Sequence, residues 1–363
     1  MGIFVIRRLI QAIPTFFGIT FFSFMLIILA PGDPVSLITF SPDSSPETAE
    51  RLRKQLGLDR PPLIQYVSWL VGNDFIIEDR HEFFISMMPS SSLQLLPEEN
   101  IPNSVDHVYG SRKGLLRGDL GNSIGHKRPV FHMILERVPA TLQLSVASLI
   151  MGLALGLPLG AYAAVHQGGV VDQFARFISV IGVAIPQFWL GLILIVIFAV
   201  NWDLLPMFGM RDPTSTGFEL ADRLSRMIMP VTVLSLSGIA TLSRYLRSSV
   251  LEALGEDYVR TASAKGLVHR RVIWGHAVRN GLLPVATILG PTLGALLSGS
   301  VIVEQVFSWP GMGRMIITAA TQRDYPVVMG SVVIVSVLFI IGVLLSDILY
   351  AWLDPRVKYG ESS

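Results

Sequence analysis

Six stretches of this 363-residue chain run for 17 residues or more without a charged side chain: Leu9 to Ala30, Val138 to Val165, Phe177 to Trp202, Met227 to Ser243, Gly281 to Val303 and Tyr325 to Ser346. A helix needs about 20 apolar residues to cross a hydrocarbon core, so each run reads as one span. The expected fold is an all-α integral membrane protein with six transmembrane helices. Charged residues make up 15% of the chain, against about 25% in a soluble domain. The fourth run is the weakest, rich in Ser and Gly, but Arg244 and Arg247 extend it if they snorkel to an interface. The first follows Arg7 and Arg8, exceeds a signal-peptide core and ends in PGDP without a small-residue cleavage site. It is expected to stay as an anchor.

An even number of spans places both termini on one side, and basic residues in short loops mark that side as cytoplasmic. Arg7, Arg8, Arg176, Arg260, Lys265, Arg270, Arg271, Arg279, Arg356 and Lys358 fall on the candidate inner side; Arg211, Arg223, Arg226, Arg314 and Arg323 fall on the other. Both termini are therefore expected in the cytoplasm. Residues 1–30 form the N-terminus and first span, 31–137 an extracytoplasmic loop, 138–353 the permeation core with a cytoplasmic loop at 248–282, and 354–363 a cytoplasmic tail.

Within the outer loop, Thr48 to Leu70 carries an amphipathic helix that stops at Gly57 and resumes after Pro61 and Pro62, and it is expected to lie along the membrane surface. Residues 71–113 hold no sustained period and read as an inserted excursion. Inside the spans, Gly152, Gly156 and Gly160, and then Gly290, Gly294 and Ser298, form small-residue faces of the kind that let helix backbones approach in lipid. Pro186 and Pro291 interrupt helices in mid-span.

Several chemistries are disfavoured. Net charge is +1, so no global field points to nucleic acid. Cysteine is absent, which removes thiolate catalysis, Cys-ligated metals and disulfides. No span carries an Asp, Glu, Lys or Arg in its interior, which weighs against a self-sufficient secondary transporter with an intramembrane proton or ion relay. The P-loop pattern is absent, so the chain does not bind ATP in that way. GNSIG, Gly121 to Gly125, matches a nucleophile elbow, with Asp119, His126 and His132 nearby. A membrane-embedded serine hydrolase using Ser123 would also need a strand before it and a sheet beneath it, and neither is evident. Asp74, Glu78, Asp79, His81 and Glu82 lack metal-site spacing and read as a solvated loop, so no metal is expected.

The most informative loop is DYVRTASAKGLVHRRVIWGHAVRNGLLP, Asp257 to Pro284, a basic segment between two apolar runs. Glu256 to Lys265 permits a short helix with Tyr258, Val259 and Ala262 on one side and little girth at Ala262, Ser263 and Ala264. Gly266 allows a sharp turn. Val268 to Asn280 permits a second helix, whose basic and apolar residues are spread around a 3.6-residue wheel and suit lying on lipid poorly. A slim helix, a turn and a second helix leading into a span have the shape of a plug for a groove on a cytoplasmic partner. The plainer reading is a solvated loop that obeys the charge bias.

RTASAKG followed by GLLP resembles the EAA loop of binding-protein-dependent ABC importer permeases, in the oligopeptide, dipeptide and nickel branch. The resemblance extends through PGDP at 31–34, LGLDRPPLIQYVSWL at 56–70, LLRGDLGNS at 115–123, RVPATLQLS at 137–145, VEQVFSWPGMGRM at 303–315 and DPR at 354–356. It implies the B-type subunit and the type I ABC importer permease fold, in a bacterial or archaeal plasma membrane. It also implies a second homologous permease, two cytoplasmic P-loop ATPases and an extracytoplasmic solute-binding protein as partners. ATP and Mg would sit on the ATPases, with no cofactor on this chain and no catalysis by it. Glu256, Asp257, Tyr258, Arg260, Thr261, Ala262, Lys265 and Gly266 would form the coupling helix and its turn. Arg260 and Thr261 stand where the general EAA pattern has Glu and Ala. The excursion matches no family motif; its position beside the pathway mouth and its Phe75, Phe83, Phe84 and Tyr109 suggest contact with the binding protein, against a tolerated insertion.

Overall fold

The computed structural model describes residues 2–29, 57–72, 113–211, 220–285 and 300–353, with single positions 35, 50 and 53. Its helices are α1 (Gly2–Leu29), α2 (Pro62–Val71), α3 (Val130–Val165), α4 (Val170–Ala184), α5 (Gln187–Leu194), α6 (Leu220–Gly255), α7 (Asp257–Ala264), α8 (His269–Val272), α9 (Val301–Val306), α10 (Met312–Thr321) and α11 (Tyr325–Leu353). Among the described residues, α1, α3, α6 and α11 are each long and apolar enough to cross a bilayer, and α4 with α5 and the π-helical segment Ile195–Asn201 that continues it makes a fifth candidate. Most of the fifth predicted span, including Pro291 and the trio Gly290, Gly294 and Ser298, lies outside the described residues, as do the metal-like cluster at 74–82 and the interior of the excursion.

The third predicted span is not one straight crossing. α4 ends at Ala184, Ile185 and Pro186 are extended, and α5 leaves at 105° to α4. Pro186 has no N–H to continue the helix and its ring pushes the preceding residue out of helical geometry.

The chain forms two compact units, one of residues 1–15, 137–317 and 334–363, the other of 16–136 and 318–333. In the first, the weakest predicted span is more enclosed than α1, α3 or α11. α6 runs for 36 residues, and its Ser235, Ala240, Ser243 and Ala253 are buried. A Cβ on Gly156 would lie 3.2 Å from the Ile239 Cα, and one on Gly160 2.6 Å from the Ser243 carbonyl oxygen. The small-residue face of the second span is thus a packing surface within this chain. Higher in the same unit, Leu144, Ile195, Met229, Val233, Phe307 and Trp309 form a buried core.

In the second unit, α2 begins where Pro61 and Pro62 suit a helix start. It docks on the α1 segment through Tyr66, whose hydroxyl meets Thr20 Oγ1 at 3.1 Å and whose ring stacks edge-on against Phe21 and Phe24. The backbones at Gly72 and Gly114 touch so closely that a Cβ on Gly114 would strike Gly72, and Arg117 donates to the Val71 carbonyl at 3.2 Å. The two ends of the excursion therefore meet, the geometry of an insertion that leaves its host loop closed.

Candidate functional site

α7 holds the loop that the sequence singles out. It begins two residues after α6 ends, with Glu256 extended before it. Eight residues are too few for a stable isolated helix, so tertiary packing must hold it. Val259 and Ala262 face inward and pack with Ala253, Val272 and Ala277, and burying a valine side chain contributes about 1.5 kcal/mol. Two expectations are corrected here. Tyr258 does not share the inner side but is 39% exposed, and Ala262, expected among the contact residues, is buried beneath the helix. Position 258 precedes 259 by 100° on the wheel, enough to turn it outward. Glu256, Asp257, Arg260, Thr261, Lys265 and Gly266 are exposed. Arg260 lies 3.6 Å from Asp257 with both side chains largely in solvent, a pairing too weak to withhold the guanidinium from a partner.

The turn after α7 is closed by backbone geometry. Gly266 has φ +77° and open space where a Cβ would sit, and its N–H donates to the Ser263 carbonyl at 3.0 Å. This is a helix stop that a left-handed glycine makes without strain. α8 then passes into a wider π-helical turn, Ile273–Val278. Val272, Ile273, Ala277 and Val278 are buried while Arg270, Arg271 and Arg279 are exposed, so the segment does split into two faces. The 3.6-residue wheel missed this because a π turn carries an i, i+5 spacing. A Cβ on Gly281 would meet Val250 Cγ2 at 2.7 Å, which seats the return segment directly against α6.

Ser123 is placed by a different chemistry from the one its motif suggests. It is 3% exposed, and its hydroxyl donates to Asp324 Oδ2 at 2.5 Å. The same carboxylate accepts from the backbone N–H groups of Ile124 at 3.1 Å and Gly125 at 3.2 Å. His126 Nδ1 lies 3.3 Å from the serine oxygen, but a triad needs the carboxylate on the imidazole rather than on the serine. The loop is a backbone nest filled by Asp324, which fastens GNSIG to the start of α11.

One node the sequence did not single out lies in VEQVFSWPGMGRM. Glu304 is 1% exposed; it accepts from the Thr141 hydroxyl at 2.8 Å and from the Arg314 N–H at 3.0 Å. Thr141 in turn accepts from the Met312 N–H at 2.8 Å, and Trp309 Nε1 donates to the Ala140 carbonyl at 2.9 Å. A carboxylate at the first turn of α10 also suits the helix dipole. Only the family motif hinted at these residues; nothing local marks Thr141 as the partner.

A family model described as the binding-protein-dependent transport system inner membrane component matches residues 156–359, and one for the N-terminal part of such membrane components matches residues 1–91. The chain belongs to this family. It is a multi-pass inner-membrane permease. It is 38% identical over 360 residues to the oligopeptide transport system permease protein AppB of Bacillus subtilis, covering 99% of this chain and 100% of that one. It is 37% identical to the dipeptide transport system permease protein DppB of Escherichia coli, covering 98% of each. It is also similar to a solved structure of the MetNI methionine ABC transporter, at 15% identity and a TM-score of 0.46, over 62% of this chain and 97% of that one.

Proposed function

We propose that this permease forms half of the translocation pathway of an ATP-driven ABC importer for peptides or related small solutes, paired with a second homologous permease. The observation that carries the reading is α7, a short helix anchored underneath by Val259 and Ala262 and exposed above. It seats Glu256, Asp257, Tyr258, Arg260, Thr261 and Lys265 in a cleft of a cytoplasmic ATPase, with Gly266 setting the turn and Ala262 supporting from below. Two P-loop ATPases hold ATP and Mg and perform the hydrolysis, while this chain binds neither. The family's dependence on a binding protein supports an extracytoplasmic solute-binding partner, and the names of the relatives support the peptide class. Six spans with both termini in the cytoplasm complete the reading. Purification of the tagged chain from its own membranes is expected to retain a P-loop ATPase, and Arg260→Glu to lose it. Dipeptide uptake by vesicles holding this chain and a second permease but no ATPase would overturn the proposal.

The excursion at 71–113 is proposed to meet the binding protein through Phe75, Phe83, Phe84 and Tyr109. Because Gly72 and Gly114 already touch, joining Leu70 to Gly114 is expected to preserve assembly with the ATPases. It should raise the binding-protein concentration needed for half-maximal uptake. Unchanged dependence on that concentration would mean that the insertion has no partner.

A further inference from the structure

α4 and α6 are joined along one continuous seam that begins with a buried charge. Asp172 is fully buried. Arg247 on α6 meets both its oxygens, Nε on Oδ1 at 2.5 Å and Nη2 on Oδ2 at 3.0 Å. Oδ2 also accepts from Arg176 Nη2 and from the Gly168 N–H, each at 2.9 Å. Further along, Ser179 Oγ lies 3.3 Å from the Ala240 carbonyl oxygen and 3.4 Å from Ser243 Oγ. At the far end a Cβ on Gly182 would be 2.7 Å from that of Ala240 and 2.8 Å from the Leu236 carbonyl oxygen. Asp172, Ala175, Ser179 and Gly182 are the buried face of α4, and their partners descend α6 as they ascend α4.

The position of this seam gives it a mechanical consequence. Arg247 precedes the first residue of α7 by ten positions on the unbroken helix α6. A force applied at α7 therefore reaches Arg247 before any other charged link to α4. A carboxylate removed from water is held by the cations that stay with it, so sliding α4 along α6 would take Arg247 from both oxygens of Asp172 and leave it Arg176 and the Gly168 N–H alone. The seam stops at the break at Ile185 and Pro186, where α5 turns away. We infer that Asp172 is a positioning residue for transport: by clamping Arg247 it makes α4 and α6 one lever that carries the movement of α7 to the bend at Pro186. This rests on the importer reading above.

The chain has no cysteine, so within it a spin label attaches only where a cysteine is introduced. One pair joins Phe177 on α4 to Tyr245 on α6; a second joins Tyr245 to Leu345 on α11, all exposed positions. Both are measured in the assembled transporter in lipid nanodiscs, with and without ATP and Mg. The expected result is a single α4–α6 distance that ATP leaves unchanged, while the Tyr245–Leu345 distance shifts. In Asp172→Asn the α4–α6 pair should gain a second, ATP-dependent population, and in Arg247→Lys, which keeps the charge but not the two-pronged contact, a smaller one. If Asp172→Asn does not assemble, Arg247→Lys decides. An ATP-dependent α4–α6 distance in the native chain, or an unchanged single distance in the assembled variants, overturns the lever. If neither pair responds to ATP in the native transporter, the importer reading itself fails and takes the lever with it.

Discussion

Gly266→Pro is expected to reduce uptake of a radiolabelled dipeptide at least about tenfold, the factor that ~1.4 kcal/mol of lost coupling represents, while Gly266→Asn stays near the native rate. The native residue sits at φ +77° and donates its N–H to Ser263. Proline fixes φ near about −65° and has no N–H, so it removes both the turn and the bond that ends α7. Asparagine tolerates left-handed backbone better than other non-glycine residues, and nothing lies within 4 Å of where its Cβ would stand. A steric fault would penalise both variants, whereas a backbone fault penalises only proline. Membrane content is measured alongside uptake, because the variant must be shown to insert. Full uptake by a well-inserted Gly266→Pro would sink the role assigned to this turn.

Glu304→Ala should cost about 2–6 kcal/mol, from at least two donors stripped of their acceptor at about 1–3 kcal/mol each. Those donors are the Thr141 hydroxyl and the Arg314 N–H. The loss would spread, because Thr141 also receives the Met312 N–H and the same loop carries Trp309 into the core. Glu304→Gln keeps one carbonyl oxygen and should cost less. Gly313→Ala provides an independent check, since its Cβ would come within 2.7 Å of the Val301 Cα. Thermal unfolding of purified protein in detergent measures all three. A melting temperature for Glu304→Ala equal to that of the native chain would show that the carboxylate does not hold this loop.

Much of the membrane architecture was legible because lipid imposes a local rule: a span must be long and free of charge, and both properties are visible residue by residue. The loop after α6 was legible for the same reason, as a short basic interruption with Gly266 at its turn. The direction of Tyr258 was not, since it depends on which wheel positions Val259 and Ala262 leave open once they pack. Nor was the amphipathic character of the second basic helix, hidden by a π turn that a 3.6-residue template cannot follow.

Read alone, the chain shows where long apolar helices lie, which loop is basic, where Pro186 breaks a helix and where Gly266 turns one. Which polar groups satisfy one another was settled by how the helices packed. Asp172 lies 75 positions from Arg247, Thr141 lies 163 from Glu304, and Ser123 lies 201 from Asp324. A buried polar group must find a partner, and the sequence states that need plainly in each residue's chemistry. The partner's identity is set by which helix faces meet after folding, and periodicity carries no information over such separations.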